Sequence, residues 1–160
     1  MNGFKPKMIF NLLSKKGQVD ENVSLVKIIA LLIHAAKIDE HYSEKEKKMI
    51  IDFTVMLKKS FKESEENIKS LSQKEILDLV EKAEKFENNS NQILEYTKEV
   101  KKMDMDTKCL ILKFLWKIIL SDDKSDVYES SLMRRICGLL YVPDKLSGEI
   151  KSNILKGKNI

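Results

Sequence analysis

Little in this sequence favours tight turns or covalent staples. Its 160 residues include five glycines, two prolines and two cysteines. So few breakers disfavour a fold of many short strands and leave long helices as the economical alternative. Cys109 and Cys137 stand 28 positions apart (137 − 109), with no CxxC pair and no Cys/His cluster. That spacing gives no basis for a zinc site or a disulfide framework, and their apolar surroundings predict two buried thiols. No run reaches about 18 uninterrupted apolar residues, so no membrane span is expected. The apolar run near the start is short and lacks a small-residue cleavage site, so no secretory signal is expected and a reducing cytoplasm is the default location. Arginine is nearly missing: Arg134 and Arg135 are the only two. Planar bidentate arginines usually carry nucleic-acid recognition, so that class of partner is not expected. The lysines are interleaved with acids at a net charge of +4, the pattern of a solvated face.

What is present reads as one helical domain. With 42% hydrophobic and 34% charged residues, a chain of this length can bury roughly 70% of its unfolded surface without staples. Phe4, Met8, Ile9, Leu12 and Leu13 recur at helical spacing among Lys5, Lys7, Lys15 and Lys16. Residues 1–17 therefore read as a short basic amphipathic helix ending at Gly17, and residues 18–160 as the main domain. That first helix either docks on the core or makes a weak contact with an acidic membrane surface, such as the inner membrane. Residues 22–38 are apolar almost all round, which places them at the centre of a bundle. Their polar exceptions, Lys27 and His34, are seven apart and share one face.

Ser43 and Glu46 form an S-x-x-E capping box that opens a helix to about Lys59, with Ile50, Phe53, Val55 and Leu57 inward. Ser64 is expected to cap a helix with Ile76, Leu79, Val80, Ala83 and Phe86 on its stripe, broken near Ser70–Ser72. Asn88 to Asn91 reads as a loop. Ile93, Leu94, Thr97 and Val100 mark a short helix. Residues 107–121 form a second strongly apolar helix capped by Asp104 or Asp106, with Lys113 and Lys117 as its wet edge. Asp126 opens a helix through Leu139, and Asp144, after Pro143, caps a last one. No alternating strand pattern occurs. The expected architecture is an all-α, compact bundle of seven to eight helices.

One pattern occurs twice, 83 positions apart: an apolar helix, an acidic turn, then a capped helix. Asp39 matches Asp122, Ser43 matches Asp126, Glu46 matches Glu129 and Ile50 matches Met133. A duplicated unit with an internal pseudo-twofold repeat is the economical explanation. Two readings of these residues stand side by side. Ordinary capping explains the acids, because a third helical position favours glutamate and a turn favours a short polar side chain. Alternatively, Asp39, Glu40, Ser43 and Glu46 from one side, with Asp122, Asp123, Asp126 and Glu129 from the other, supply the several oxygens that Ca²⁺ or Mg²⁺ requires. One turn alone offers too few carboxylates. The calcium loop D-x-D-x-D-G is absent, so this is no EF-hand. His41, in the first turn, is a weaker ligand candidate without a match in the second copy.

These residues resemble the TerB-like family, the tellurite-resistance-associated proteins related to the N-terminal region of DjlA-type co-chaperones. The doubled helix, Asp, cap and Glu pattern carries the likeness. So do Leu115-Trp116-Lys117-Ile118-Ile119-Leu120-Ser121-Asp122-Asp123, Arg134-Arg135-Ile136 and Leu139-Leu140-Tyr141-Val142. The resemblance spans roughly residues 22–155. Glu40 and Asp123 stand where the family usually has glycine, and Glu tolerates a left-handed turn poorly. The resemblance implies an all-helical bundle of about seven helices with internal pseudo-symmetry. It further implies divalent-metal binding at the acidic turns, and stress roles at membranes or in protein complexes. It implies no catalytic activity. The sequence supplies no nucleophile–base pair, phosphate-cradling glycine loop or H-E-x-x-H motif, so a non-enzymatic module with protein partners is expected.

Overall fold

A computed structural model describes residues 21–38, 42–61, 73–90, 93–122 and 127–158. Seven α-helices occur among the described residues: α1 Glu21–Ala36, α2 Glu44–Phe61, α3 Gln73–Asn89, α4 Ile93–Lys101, α5 Met105–Ile119, α6 Val127–Leu140 and α7 Asp144–Lys158. A 3-10 turn, Leu120–Asp122, follows α5. No strand occurs among the described residues, so the fold is the all-α bundle that the periodicity implies. The basic segment 1–17 and the Ser64 cap with its break lie outside the described residues.

Helix α1 is the axis of the bundle. From Leu25 to Ala36 every residue except Val26, Lys27 and His34 is buried. A helix with so narrow a polar edge is stable only when other helices surround it. Helices α3 and α4 cover most of it, and α5 and α2 cover the rest. Helix α5 leans on α7, and α6 on α4. The aromatic pair Phe53 and Phe114, with centroids 4.5 Å apart, ties α2 to α5. Trp116 Nε1 donates to Ser147 Oγ at 3.0 Å, and the Lys151 ammonium lies 4.9 Å from the Trp116 ring, so α7 satisfies the indole at both its polar edge and its face.

The C-terminus of α6 shows how backbone groups are satisfied. Val142 N–H donates to the Cys137 carbonyl at 2.9 Å and Tyr141 N–H to that of Gly138 at 3.3 Å, which is the Schellman arrangement. The position between them must be left-handed, and here it is Tyr141, with φ of 58°. The buried Lys108 adds its ammonium to the Leu140 carbonyl at 2.9 Å, a cation on the negative end of a helix.

Four expectations are corrected. Leu94 is 56% exposed, and fully buried Tyr96 takes the inward place on α4. The inner face of that helix runs Ile93, Tyr96, Thr97 and Val100, and Leu94 lies about 100° round from Ile93. Asn88 and Asn89 belong to α3, so the loop after it is shorter than the asparagine run suggests. Val55 is only half-buried, beside fully buried Phe53 and Leu57. Cys137 is buried, but Cys109 is half-exposed; both are free thiols.

Candidate functional site

The first acidic turn is gripped from both ends by α3. Before the turn, Lys37 donates from Nζ to Glu87 Oε2 at 2.7 Å and to Asn88 Oδ1 at 2.7 Å. After it, Tyr42 donates from its hydroxyl to Glu84 Oε1 at 3.3 Å, and the Lys47 ammonium lies 3.3 Å from the same oxygen. Glu87 is only 5% exposed, a position that a carboxylate occupies only when paired and hydrogen-bonded. His34 Nδ1 meets its other oxygen at 3.3 Å. The Tyr96 hydroxyl donates to the Glu87 carbonyl at 3.2 Å. His34, placed by sequence at a partly exposed edge, is there, and its partner is this buried acid.

Burial first, and then the charge of Glu84 and its hydrogen bond, push the Tyr42 phenol well above its ordinary range, with Glu46 and Glu44 adding to the effect. The phenol therefore stays protonated and a donor. Burial and Glu87 likewise raise Tyr96. Sequence reasoning missed Glu84 and Glu87. A signal for Glu87 existed: it continues the buried stripe Ile76, Val80, Ala83 at helical spacing, and an acid on an apolar stripe needs partners.

Of the eight candidate ligands, Ser43 and Glu46 are fully described, and they form the capping box. Glu46 Oε1 accepts from Ser43 N–H at 3.1 Å and from Ser43 Oγ–H at 2.9 Å, and Glu46 N–H donates to Ser43 Oγ at 3.2 Å. Asp122 ends the 3-10 turn, and Glu129 is the third residue of α6, as Glu46 is of α2. Asp39, Glu40, Asp123 and Asp126, with His41, lie outside the described residues. Among the described residues no group of three His, Cys, Asp or Glu side chains is placed to hold a metal ion.

Among the described residues, a hydrogen bond links the elements that flank the two turns. Lys45, in the first turn of α2, donates from Nζ to the Ser121 carbonyl at 3.3 Å. Ser121 is the residue before Asp122, and its own hydroxyl donates to the Ile118 carbonyl at 2.7 Å. A lysine side chain reaches only about 6 Å, so the start of α2 and the end of α5 share one edge of the bundle.

With this arrangement in place, comparison with known families decides the kinship. The family model described as tellurite resistance protein TerB matches residues 25–152. The chain belongs to the TerB family. The match runs from α1 into α7 and takes in both acidic turns. No curated protein and no solved structure matches significantly. None of the described helices of this TerB-family chain is long and apolar enough to cross a membrane.

Proposed function

We propose that this TerB-family chain is a non-enzymatic binding module whose two acidic turns are copies of one unit and together hold a divalent cation, Ca²⁺ or Mg²⁺, for recognition by protein partners. The observation that supports this reading is the Lys45–Ser121 contact, which joins the start of α2, after the first acidic turn, to the 3-10 turn ahead of the second. In the sequence, Asp39 and Glu40 precede α2, and Asp122, Asp123 and Asp126 close or follow the 3-10 turn after α5. Such a concentration of carboxylate calls for positive charge, and a hard cation with several oxygen ligands supplies more of it than one lysine. Ser43, Glu46 and, by its place in α6, Glu129 serve as helix caps in this proposal rather than as ligands.

The duplication is supported by element limits. Ala36 and Ile119 end the two apolar helices, and Glu44 and Val127 begin the two that follow, each pair 83 positions apart (119 − 36 and 127 − 44). Calorimetry with Ca²⁺ and with Mg²⁺, on the wild type and on Asp39→Asn/Asp122→Asn, tests the cation. Heat of binding that the double variant loses is expected. No heat in the wild type, and no change in its melting temperature at millimolar cation, would end the proposal.

A further inference from the structure

Helix α6 carries no acid from Ser130 to Leu140, and both arginines of the chain, Arg134 and Arg135, stand exposed on it. Gly138 follows one turn later on the same face and is exposed as well. A Cβ placed there would meet nothing within 4 Å outside its own turn of helix, so packing among the described residues does not ask for glycine. Its effect is to leave the helix backbone bare beside the arginines. Tyr141, just past the helix end, is 68% exposed at a φ of 58°. Glycine would hold that left-handed position at less cost, and a ring so open to solvent gains little from burial. Backbone outliers of this kind concentrate where a side chain serves a contact.

Helix α4 packs beside α6 and extends this face. The Lys101 ammonium lies 4.8 Å from the Tyr141 ring. Lys98, one turn earlier, and Lys102, just past the helix, are exposed too. The Lys108 bond to the Leu140 carbonyl brings the start of α5 to the same end, where Met105 is 42% exposed. Among the described residues no ion pair involves Arg134, Arg135, Lys98 or Lys102. The acids Glu95, Asp106 and Asp144 sit in the first turns of α4, α5 and α7, where the positive ends of those helices offset their charge. The face is therefore cationic, with a ring and a methionine among the cations. Arginine, tyrosine and methionine are the residues that protein interfaces favour, and an arginine fork matches a carboxylate with two parallel bonds.

We infer that this face of α6, with the C-terminal end of α4, docks an acidic segment of a partner protein. The segment's carboxylates pair with Arg134 and Arg135, and an apolar side chain of the segment packs on the Tyr141 ring. The contact needs no divalent cation, so it stands or falls apart from the acidic turns. The probe is a short fluorescein-labelled peptide of glutamates with a leucine at every fourth position, titrated with the full chain in chelator and followed by fluorescence anisotropy. Arg134→Ala/Arg135→Ala is expected to weaken binding about tenfold. Tyr141→Gly is expected to weaken it about fivefold while Tm holds or rises, which separates recognition from stability. Lys74→Ala/Lys82→Ala removes as much charge from exposed positions on α3, a helix that packs on α1 and α2, and should bind like the wild type. No binding by the wild type would overturn the inference, and so would an equal loss in the α3 control, which marks general charge attraction. Binding to phosphatidylserine vesicles or to RNA, lost in the same arginine variant while the peptide fails to bind, would also overturn it and assign the face to a phosphate-bearing partner.

Discussion

Replacing Glu46 in two ways separates capping from cation binding. Glu46 is 2% exposed, and one of its oxygens takes both the N–H and the hydroxyl of Ser43. Glu46→Ala removes that acceptor. Losing the reciprocal cap costs about 1 kcal/mol, and leaving the half-buried Ser43 N–H without an acceptor costs about 1 more. For a chain of this length the unfolding entropy is on the order of 0.34 kcal/mol/K, so a loss of about 2 kcal/mol lowers Tm by about 6 °C. Glu46→Gln keeps a carbonyl oxygen at the same place, and glutamine serves a capping box. Its expected cost is about 0.5 kcal/mol, a fall of roughly 1–2 °C. Thermal melts in chelator measure both. Repeating them with cation at about a hundredfold over Kd should raise Tm by about 8 °C, from roughly 2.7 kcal/mol of linkage. Glu46→Gln should keep that rise, because the glutamate is occupied as a cap. A glutamine variant as unstable as the alanine one would refute the capping assignment. Loss of the cation-induced rise in Glu46→Gln would move Glu46 from cap to ligand.

Three further substitutions test single features of the fold. The Ser24 hydroxyl is buried with no hydrogen-bond partner among the described residues, so Ser24→Ala should stabilise by about 1 kcal/mol in urea unfolding; a loss of stability would show that the hydroxyl has a partner. Tyr141 holds a φ of 58°, and Tyr141→Gly should relieve about 1 kcal/mol of strain unless the Lys101 ammonium, 4.8 Å from its ring, contributes as much; an unchanged Tm would mean that it does. Tyr42 has a folded pKa raised by burial and by Glu84. Its contribution is therefore complete below the unfolded phenol value of about 10 and is lost as pH rises above it. Tyr42→Phe should cost about 1 kcal/mol at pH 7 through the lost Glu84 bond, yet flatten the decline in Tm between pH 10 and 11; an equally steep decline would place the alkaline sensitivity elsewhere.

The core was legible in the sequence because burial of apolar side chains repeats with the helical period. Leu25 to Ala36 and Ile111 to Ile119 announce buried helices on their own, and S-x-x-E at Ser43 announces a cap that the structure then shows atom by atom. Polar partnerships between distant elements were not legible. Nothing local in Lys37 or Tyr42 names Glu87 or Glu84, since a surface ion pair and a buried one use the same letters. Leu94 and Tyr96 were exchanged for a related reason: hydrophobicity alone ranks leucine above tyrosine, while the period of Ile93, Thr97 and Val100 favours position 96. Where two helix faces compete, register decides and residue type does not.

The residues that flank the two acidic turns differ in chemistry. Lys37, Tyr42 and Lys47, which bind the end of α3, correspond at the offset of 83 to Leu120, Ser125 and Ser130. None of these can repeat an ion pair to a buried carboxylate, and Leu120 is itself buried. Helix α7, which packs on α5, offers α5 the Ser147 hydroxyl and the Lys151 ammonium at Trp116 instead of acids. The flanks of the first turn are therefore held by charge-assisted bonds from a separate helix, while the residues leading into the second form a 3-10 turn in which Ser121 donates to the Ile118 carbonyl. Charge-assisted bonds to a buried acid resist rearrangement more strongly than a single neutral hydroxyl bond. Lys45, in the first turn of α2 and ending on the Ser121 carbonyl, is the group that the proposed cation must accommodate.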